Sequence, residues 1–192
     1  MLAVELKRIA TLLKSAGHTT LSTTCQQQGL AIEAAVNKYG ITTHPVYGKV
    51  YAYEVDGYGS HIIMDDANLP SLLSLPLLGF VDINDPVYQN TRKMVLSQRG
   101  NPYFLRGKQG EGVGGPHIGI RNAWPMSLLV QIMTSKDDEE IKGLLKMVLK
   151  MSPLGLIHES VNVDRLSQYT SKLALVLNSW KSSSDVFSWG GL

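Results

Sequence analysis

The sequence predicts an all-α fold of paired helices carrying one short β-ribbon. Three features lead there. Apolar residues recur at helical spacing in one segment after another. The connections between these segments alternate short and long, and the aromatic and acidic residues gather in the long ones. That pattern suits an α/α toroid with an active site at one end. A chain of 192 residues holds one domain with a real core and is short for two. Only 18% of residues are charged, which implies many buried helix faces.

Taken in order, Leu2, Leu6, Ile9 and Leu13 mark one face of a first helix, which Gly17 interrupts. A second helix runs through Cys25, Ile32, Val36 and Tyr39, with Gly40 placed as its C-terminal cap. A short loop makes the two an αα-hairpin. The pattern changes at Thr42. Residues 44–59 are rich in Tyr and Val, with turn signals at Tyr47-Gly48 and Asp56-Gly57, and 50–55 alternates as a strand does. Pro70 and Pro76 bracket an apolar run that reads as a short, proline-broken helix. Asp85-Pro86 is an N-cap followed by proline at the first helical position, and Tyr88, Thr91, Met94 and Val95 follow on one face. Residues 100–119 hold seven glycines and two prolines and read as a long loop. Trp124-Pro125 opens a helix with Met126, Leu129, Val130 and Met133 on one side. Ser135 and Asp138 resemble a capping box for a last helix through Ile141, Leu144, Leu145 and Val148, and Pro153 to Gly155 ends it.

Several functional classes fall away. The net charge is +2 with no long basic run, which argues against a nucleic-acid partner. No run of roughly 18 apolar residues is present, so no membrane span is expected. The one cysteine, Cys25, permits no internal disulfide and reads as a structural thiol. His158-Glu159 is not followed by the second histidine of the zinc-protease helix, and His44, His61, His117 and His158 are scattered without cysteine partners, so no metal site is expected. Residues 110–117, Gly-Glu-Gly-Val-Gly-Gly-Pro-His, lack the Lys-Ser or Lys-Thr of a phosphate loop. They form either a flexible turn or a loop whose backbone approaches a ligand closely and presents His117. There is no Gly-x-Ser-x-Gly nucleophile elbow.

Carboxylates in loops remain. Asp65-Asp66-Ala67-Asn68 has two readings: capping of the next helix, or a site. Glu159, in Ile-His-Glu-Ser, reads as functional. Longer blocks of sequence carry a resemblance. Tyr51-Ala52-Tyr53-Glu54-Val55-Asp56-Gly57-Tyr58-Gly59, then His61 and Met64-Asp65-Asp66-Ala67-Asn68-Leu69-Pro70, resemble glycoside hydrolase family 125, the exo-α-1,6-mannosidases. Asn101-Pro102-Tyr103, Gly114-Gly115-Pro116-His117, Trp124-Pro125-Met126 and His158-Glu159-Ser160 match the same family in the same order.

The resemblance implies an (α/α)6 barrel, incomplete here, with residues 1–170 as its C-terminal part and 171–192 as a divergent tail. It implies hydrolysis of a terminal α-mannose with inversion, needing no metal or cofactor, and an α-mannoside or mannose-containing glycan as partner. Glu159 matches the family's general base. Asp66, Asn68, His117, Glu54 and Asp56 would line the sugar site. The family's general acid lies in an Arg-Pro-Ser-Asp-Asp type motif, and nothing like it occurs among the 192 residues. An incomplete barrel is expected to leave apolar helix faces exposed.

Overall fold

The structure, a computed structural model, describes residues 1–152 and 155–165. The expected tail at 171–192 and the expected helix break at Pro153 lie outside the described residues. The elements are α1 (Leu2–Ser15), α2 (Thr19–Tyr39), β1 (Ile41–His44), β2 (Gly48–Tyr51), β3 (Glu54–Val55), β4 (His61–Ile62), α3 (Pro86–Val95), β5 (Phe104–Arg106), β6 (Glu111–Val113), β7 (Asn122–Ala123), α4 (Pro125–Met133), α5 (Asp138–Met151) and β8 (Val161–Asn162). The strands form four separate antiparallel ribbons, β1-β2, β3-β4, β5-β6 and β7-β8, where the sequence led us to expect one. Beyond β1-β2, the strands of the other three ribbons have two or three residues, too few to be seen in sequence periodicity. The alternation across 50–55 is split, with β2 ending at Tyr51 and β3 starting at Glu54. The long loop expected at 100–119 contains the β5-β6 ribbon.

Helices α1 and α2 form the expected hairpin but pack through small residues. Ala3 and Ala10 of α1 are buried against Ser22 and Gly29 of α2, two pairs each seven residues apart. The Ser22 hydroxyl donates to the Ala10 carbonyl at 2.7 Å, so the two backbones lie close. The predicted stripe is packed only in part: Leu6 and Leu13 are half-buried, whereas Leu2 and Ile9 are exposed. Lys7 pairs with Glu33 at 2.9 Å across the hairpin. Gly40 ends α2 with a right-handed backbone and donates its N–H to Val36 O. What requires glycine there is space, since a Cβ would stand 2.7 Å from that same carbonyl.

Helix α3 is the element the sequence specifies best. Asp85 accepts the Tyr88 N–H at 2.8 Å, Pro86 occupies the first turn, and Tyr88, Thr91, Met94 and Val95 are all buried. They join Val50, Tyr51, Leu72, Leu73 and Val130 in the main core. A second core joins α4 and α5 to β8 through Leu128, Leu144, Val148, Met151 and Val161. On α4 the buried set is Pro125, Ser127, Leu128 and Val130, while Met133, expected inside, is exposed. Leu145 and Leu149 of α5 are exposed as well. Asp137 caps α5 by accepting from Glu139 and Glu140 N–H, and Ser135 instead accepts the Asp137 N–H at 3.1 Å, so the expected box shifts by two residues.

The proline-bracketed run is a chain of turns rather than a helix, closed by reciprocal Ser71 and Ser74 bonds. Its start is held by Asp65, which is fully buried. One Asp65 oxygen accepts the Leu72 N–H at 2.8 Å and the other accepts the Leu73 N–H at 3.0 Å. The Asp65 N–H donates to the buried Asn101 side chain at 3.2 Å, and the Tyr88 hydroxyl donates to Leu73 O at 2.9 Å. Removal from water outweighs the N–H donors and pushes the Asp65 carboxyl up to about 7.

Two outcomes follow for stability. Gly29→Ala should lower the urea midpoint even though alanine is the better helix former by about 1 kcal/mol. Its Cβ would lie 2.9 Å from Ala3 O, and overpacking costs about 1–3 kcal/mol. An unchanged or raised midpoint would contradict this packing. For Asp65, the folded carboxyl titrates above its unfolded value of 3.8, so the folded state holds more protons between about pH 4 and 7. Its contribution to stability should therefore fall as pH rises through that window. Midpoints measured from pH 4 to 7 should show that component of the slope in the wild type and lose it in Asp65→Asn; equal slopes in both proteins would show that Asp65 does not titrate there.

Candidate functional site

Asp65 and Asp66 are adjacent, yet they do different work. The Asp65 anchor turns the following residue outward from the main core. Asp66 lies on the far side, its carboxylate accepting the Asn68 N–H at 2.9 Å in a tight Asx turn. Ala67 between them is buried beside Phe104 and Val113, and its N–H donates to Gly114 O at 2.9 Å. Asp65 thus ties down the next segment, which is a chain of turns and not the helix that capping would need, while Asp66 holds the Asx turn.

The opposing wall is the connection from β6 to β7. It presents His117, whose Nδ1 lies 3.8 Å from Asp66 Oδ2 and whose Nε2 is 3.3 Å from Asn68 Nδ2. An amide nitrogen only donates, so Nε2 accepts and the neutral imidazole carries its proton on Nδ1, facing the carboxylate. The ring meets Trp124 edge-on, with centroids 5.7 Å apart. Half of the His117 side chain is open to solvent, while the Asp66 side chain is 8% exposed. The connection is fixed at its far end by Arg121, which adopts a positive φ of 66° and grips Asp164 with Nε at 2.7 Å and Nη2 at 2.9 Å. That guanidinium holds the Asp164 carboxyl below its usual range.

Asp66, Asn68 and His117, three residues the sequence singled out, therefore meet at one place. Glu54 and Asp56 do not join them through any hydrogen bond. Both are exposed on the β3-β4 ribbon, and Asp56 is committed to its turn, accepting N–H from Tyr58 at 2.7 Å and Ser60 at 3.0 Å. Those bonds lower its pKa. Glu159 is exposed in the segment leading to β8. Val161 pairs with Ala123, the residue before Trp124, so the β7-β8 ribbon brings the His-Glu-Ser segment to the Trp124 end of the site.

Two residues belong to this cluster that were not singled out. Trp124 backs His117, and its indole Nε1 is buried without a partner among the described residues. Tyr53 stands near the acidic pair: burial first, then the charges of Asp66, Asp65 and Glu54, push its phenol up. Both aromatics lie within the sequence blocks that carry the family resemblance, which was the available signal. A carboxylate, an amide, an imidazole and aromatic edges at a partly open surface can hold a polyhydroxylated ligand, with hydroxyls paired to the polar groups. Among the described residues, no three His, Cys, Asp or Glu side chains converge as metal ligands, and no helix is long and apolar enough to cross a membrane.

Comparison with known proteins bears on this geometry. The chain is 56% identical over 172 residues to the "Meiotically up-regulated gene 157 protein" of Schizosaccharomyces pombe, a match covering 88% of this chain and 34% of that protein. It superposes with a TM-score of 0.79 and 37% identity on a Streptococcus pneumoniae protein, covering 85% of this chain and 39% of that one. That structure comes from a family of metal-independent α-mannosidases and is a non-productive substrate complex with α-1,6-mannobiose. The chain spans about a third of the length of the first relative and about two-fifths of the second. Residues 1–182 match the profile described as "Metal-independent alpha-mannosidase (GH125)". With nearly its whole length matched, the chain belongs to glycoside hydrolase family 125.

Proposed function

We propose that this chain carries the mannose-binding wall of an inverting exo-α-1,6-mannosidase, with residues 1–170 forming the C-terminal part of the catalytic domain and Glu159 serving as general base. The observation that carries the reading is the meeting of Asp66, Asn68 and His117 beside Trp124. It gains weight from the 37% identical protein solved with α-1,6-mannobiose. In this reading Asp66 accepts hydrogen bonds from sugar hydroxyls, His117 and Asn68 bond to neighbouring hydroxyls, and Trp124 braces the imidazole. Glu159 takes a proton from water as that water attacks the anomeric carbon. Inversion requires a second carboxyl roughly 6.5–9.5 Å from the base to protonate the leaving oxygen.

A second reading is a mannose-binding module without turnover. Both readings share the sugar site and differ over the acid.

The 192-residue chain should bind α-1,6-mannobiose in calorimetry while releasing no mannose from it. Asp66→Asn should weaken binding about tenfold or more, because a hydrogen bond to a charged group contributes about 1.5–3 kcal/mol, and His117→Ala should weaken it several-fold, because a bond to a neutral group contributes about 0.5–1.5 kcal/mol. Glu159→Gln should leave binding near the wild-type value, since the amide keeps the shape. In an enzyme that includes this chain within a full family domain, the same change should lower kcat by about 10²–10⁴. Unaltered binding in the Asp66 and His117 variants would remove the sugar site, undiminished kcat in Glu159→Gln would remove the base, and mannose release by the 192-residue chain would show that it contains an acid of its own.

A further inference from the structure

Gly115 is buried directly against the Asp66 carboxylate. A Cβ at this position would stand 2.8 Å from Asp66 Oδ2 and 3.0 Å from both Cγ and Oδ1. The three carboxylate atoms are thus nearly equidistant from the point a Cβ would occupy, and the carboxylate fills the space a side chain at 115 would take. The demand is for space and not for backbone conformation: Gly115, unlike Gly119 and Gly155, does not adopt a positive φ. Its neighbour Gly114 receives the Ala67 N–H at 2.9 Å, which clamps the two loops together at this point. The carboxylate is thus bounded by the Gly115 main chain, by the Asn68 N–H at 2.9 Å and by His117 Nδ1 at 3.8 Å. A side chain at 115 has to move the carboxylate, and the backbone clamp leaves the loop little room to retreat.

We propose that Gly115 is a positioning residue of this site: its missing side chain sets where the Asp66 carboxylate lies, and through it the imidazole of His117. The consequence for sugar binding rests on the reading given above, while the effect on His117 does not.

The test uses the 192-residue chain as wild type, Gly115→Ala, Asp66→Ala and the double variant. Long-range ¹H–¹⁵N spectra of the imidazole, taken where it is neutral, report its tautomer. The wild type should show His117 protonated on Nδ1. Gly115→Ala should move the pattern toward that of Asp66→Ala, and should change nothing further when Asp66 is already alanine, because the added methyl then enters vacated space. A wild-type imidazole pattern in folded Gly115→Ala would overturn the proposal, as would an equal change on the Asp66→Ala background. If Gly115→Ala does not fold, recovery of folding in the double variant supports a clash with the carboxylate, and failure of both assigns Gly115 a purely structural role. Added α-1,6-mannobiose should bind Gly115→Ala about tenfold more weakly than wild type. A wild type that binds no mannobiose would sink the sugar reading, with the imidazole spectra still deciding the role of Gly115.

Discussion

Asp65 has no exposed surface, so its carboxylate must find partners inside the protein, and it takes the N–H groups of Leu72 and Leu73. Its own N–H is taken by Asn101, which also accepts from Tyr103 and donates to Val95 O. One buried acid thus joins the segment after β4, the turns at 71–79 and the end of α3. The cost of burying it is visible in its raised titration. What the arrangement gives is direction: with Asp65 fixed inward, Asp66 is aimed across the loop, Ala67 is seated beside Phe104, and Asn68 comes within reach of His117.

That anchor would serve no site without the opposite wall. His117 is brought to Asp66 by a connection held at both ends, by the Ala67–Gly114 bond on one side and the Arg121–Asp164 pair on the other. Trp124 ends the wall and begins α4, so the packing of that helix against α5 and β8 is transmitted to the imidazole. The β7-β8 ribbon then carries the His-Glu-Ser segment to the same end. Loops hold every polar group of the site, and helices supply the cores beneath them, a common division of labour between scaffold and function.

Much of this was legible in the sequence. Asp85-Pro86 fixes the start of α3, because a carboxylate cap and a proline leave few alternatives. The family's blocks singled out Asp66, Asn68 and His117, which the fold brings together. Other features were not legible. Leu2 and Ile9 of the α1 stripe are exposed and Leu6 and Leu13 only half-buried, because Ala3, Ala10, Ser22 and Gly29 allow a closer approach than leucines would, and burial follows the close approach. Periodicity counts apolar side chains and does not register packing between backbones. Asp65 and Asp66 look alike in sequence, and only the fold assigns one to the core. The resemblance names Asp56 among the sugar-site residues, and its carboxylate also closes a turn, a role that the sequence reading did not include. The exposed Leu2, Ile9 and Leu12 of α1 and Leu145 and Leu149 of α5 belong to a chain that spans about a third of its yeast relative.

The central claim is that a buried Asp65 anchor presents Asp66 and Asn68 to His117 as one mannose site. A crystal structure of the 192-residue chain with α-1,6-mannobiose tests it most directly. The account predicts one mannose ring within hydrogen-bonding distance of Asp66, Asn68 and His117, with Asp65 still bonded to Leu72 and Leu73. A sugar bound elsewhere, touching none of the three, would contradict it.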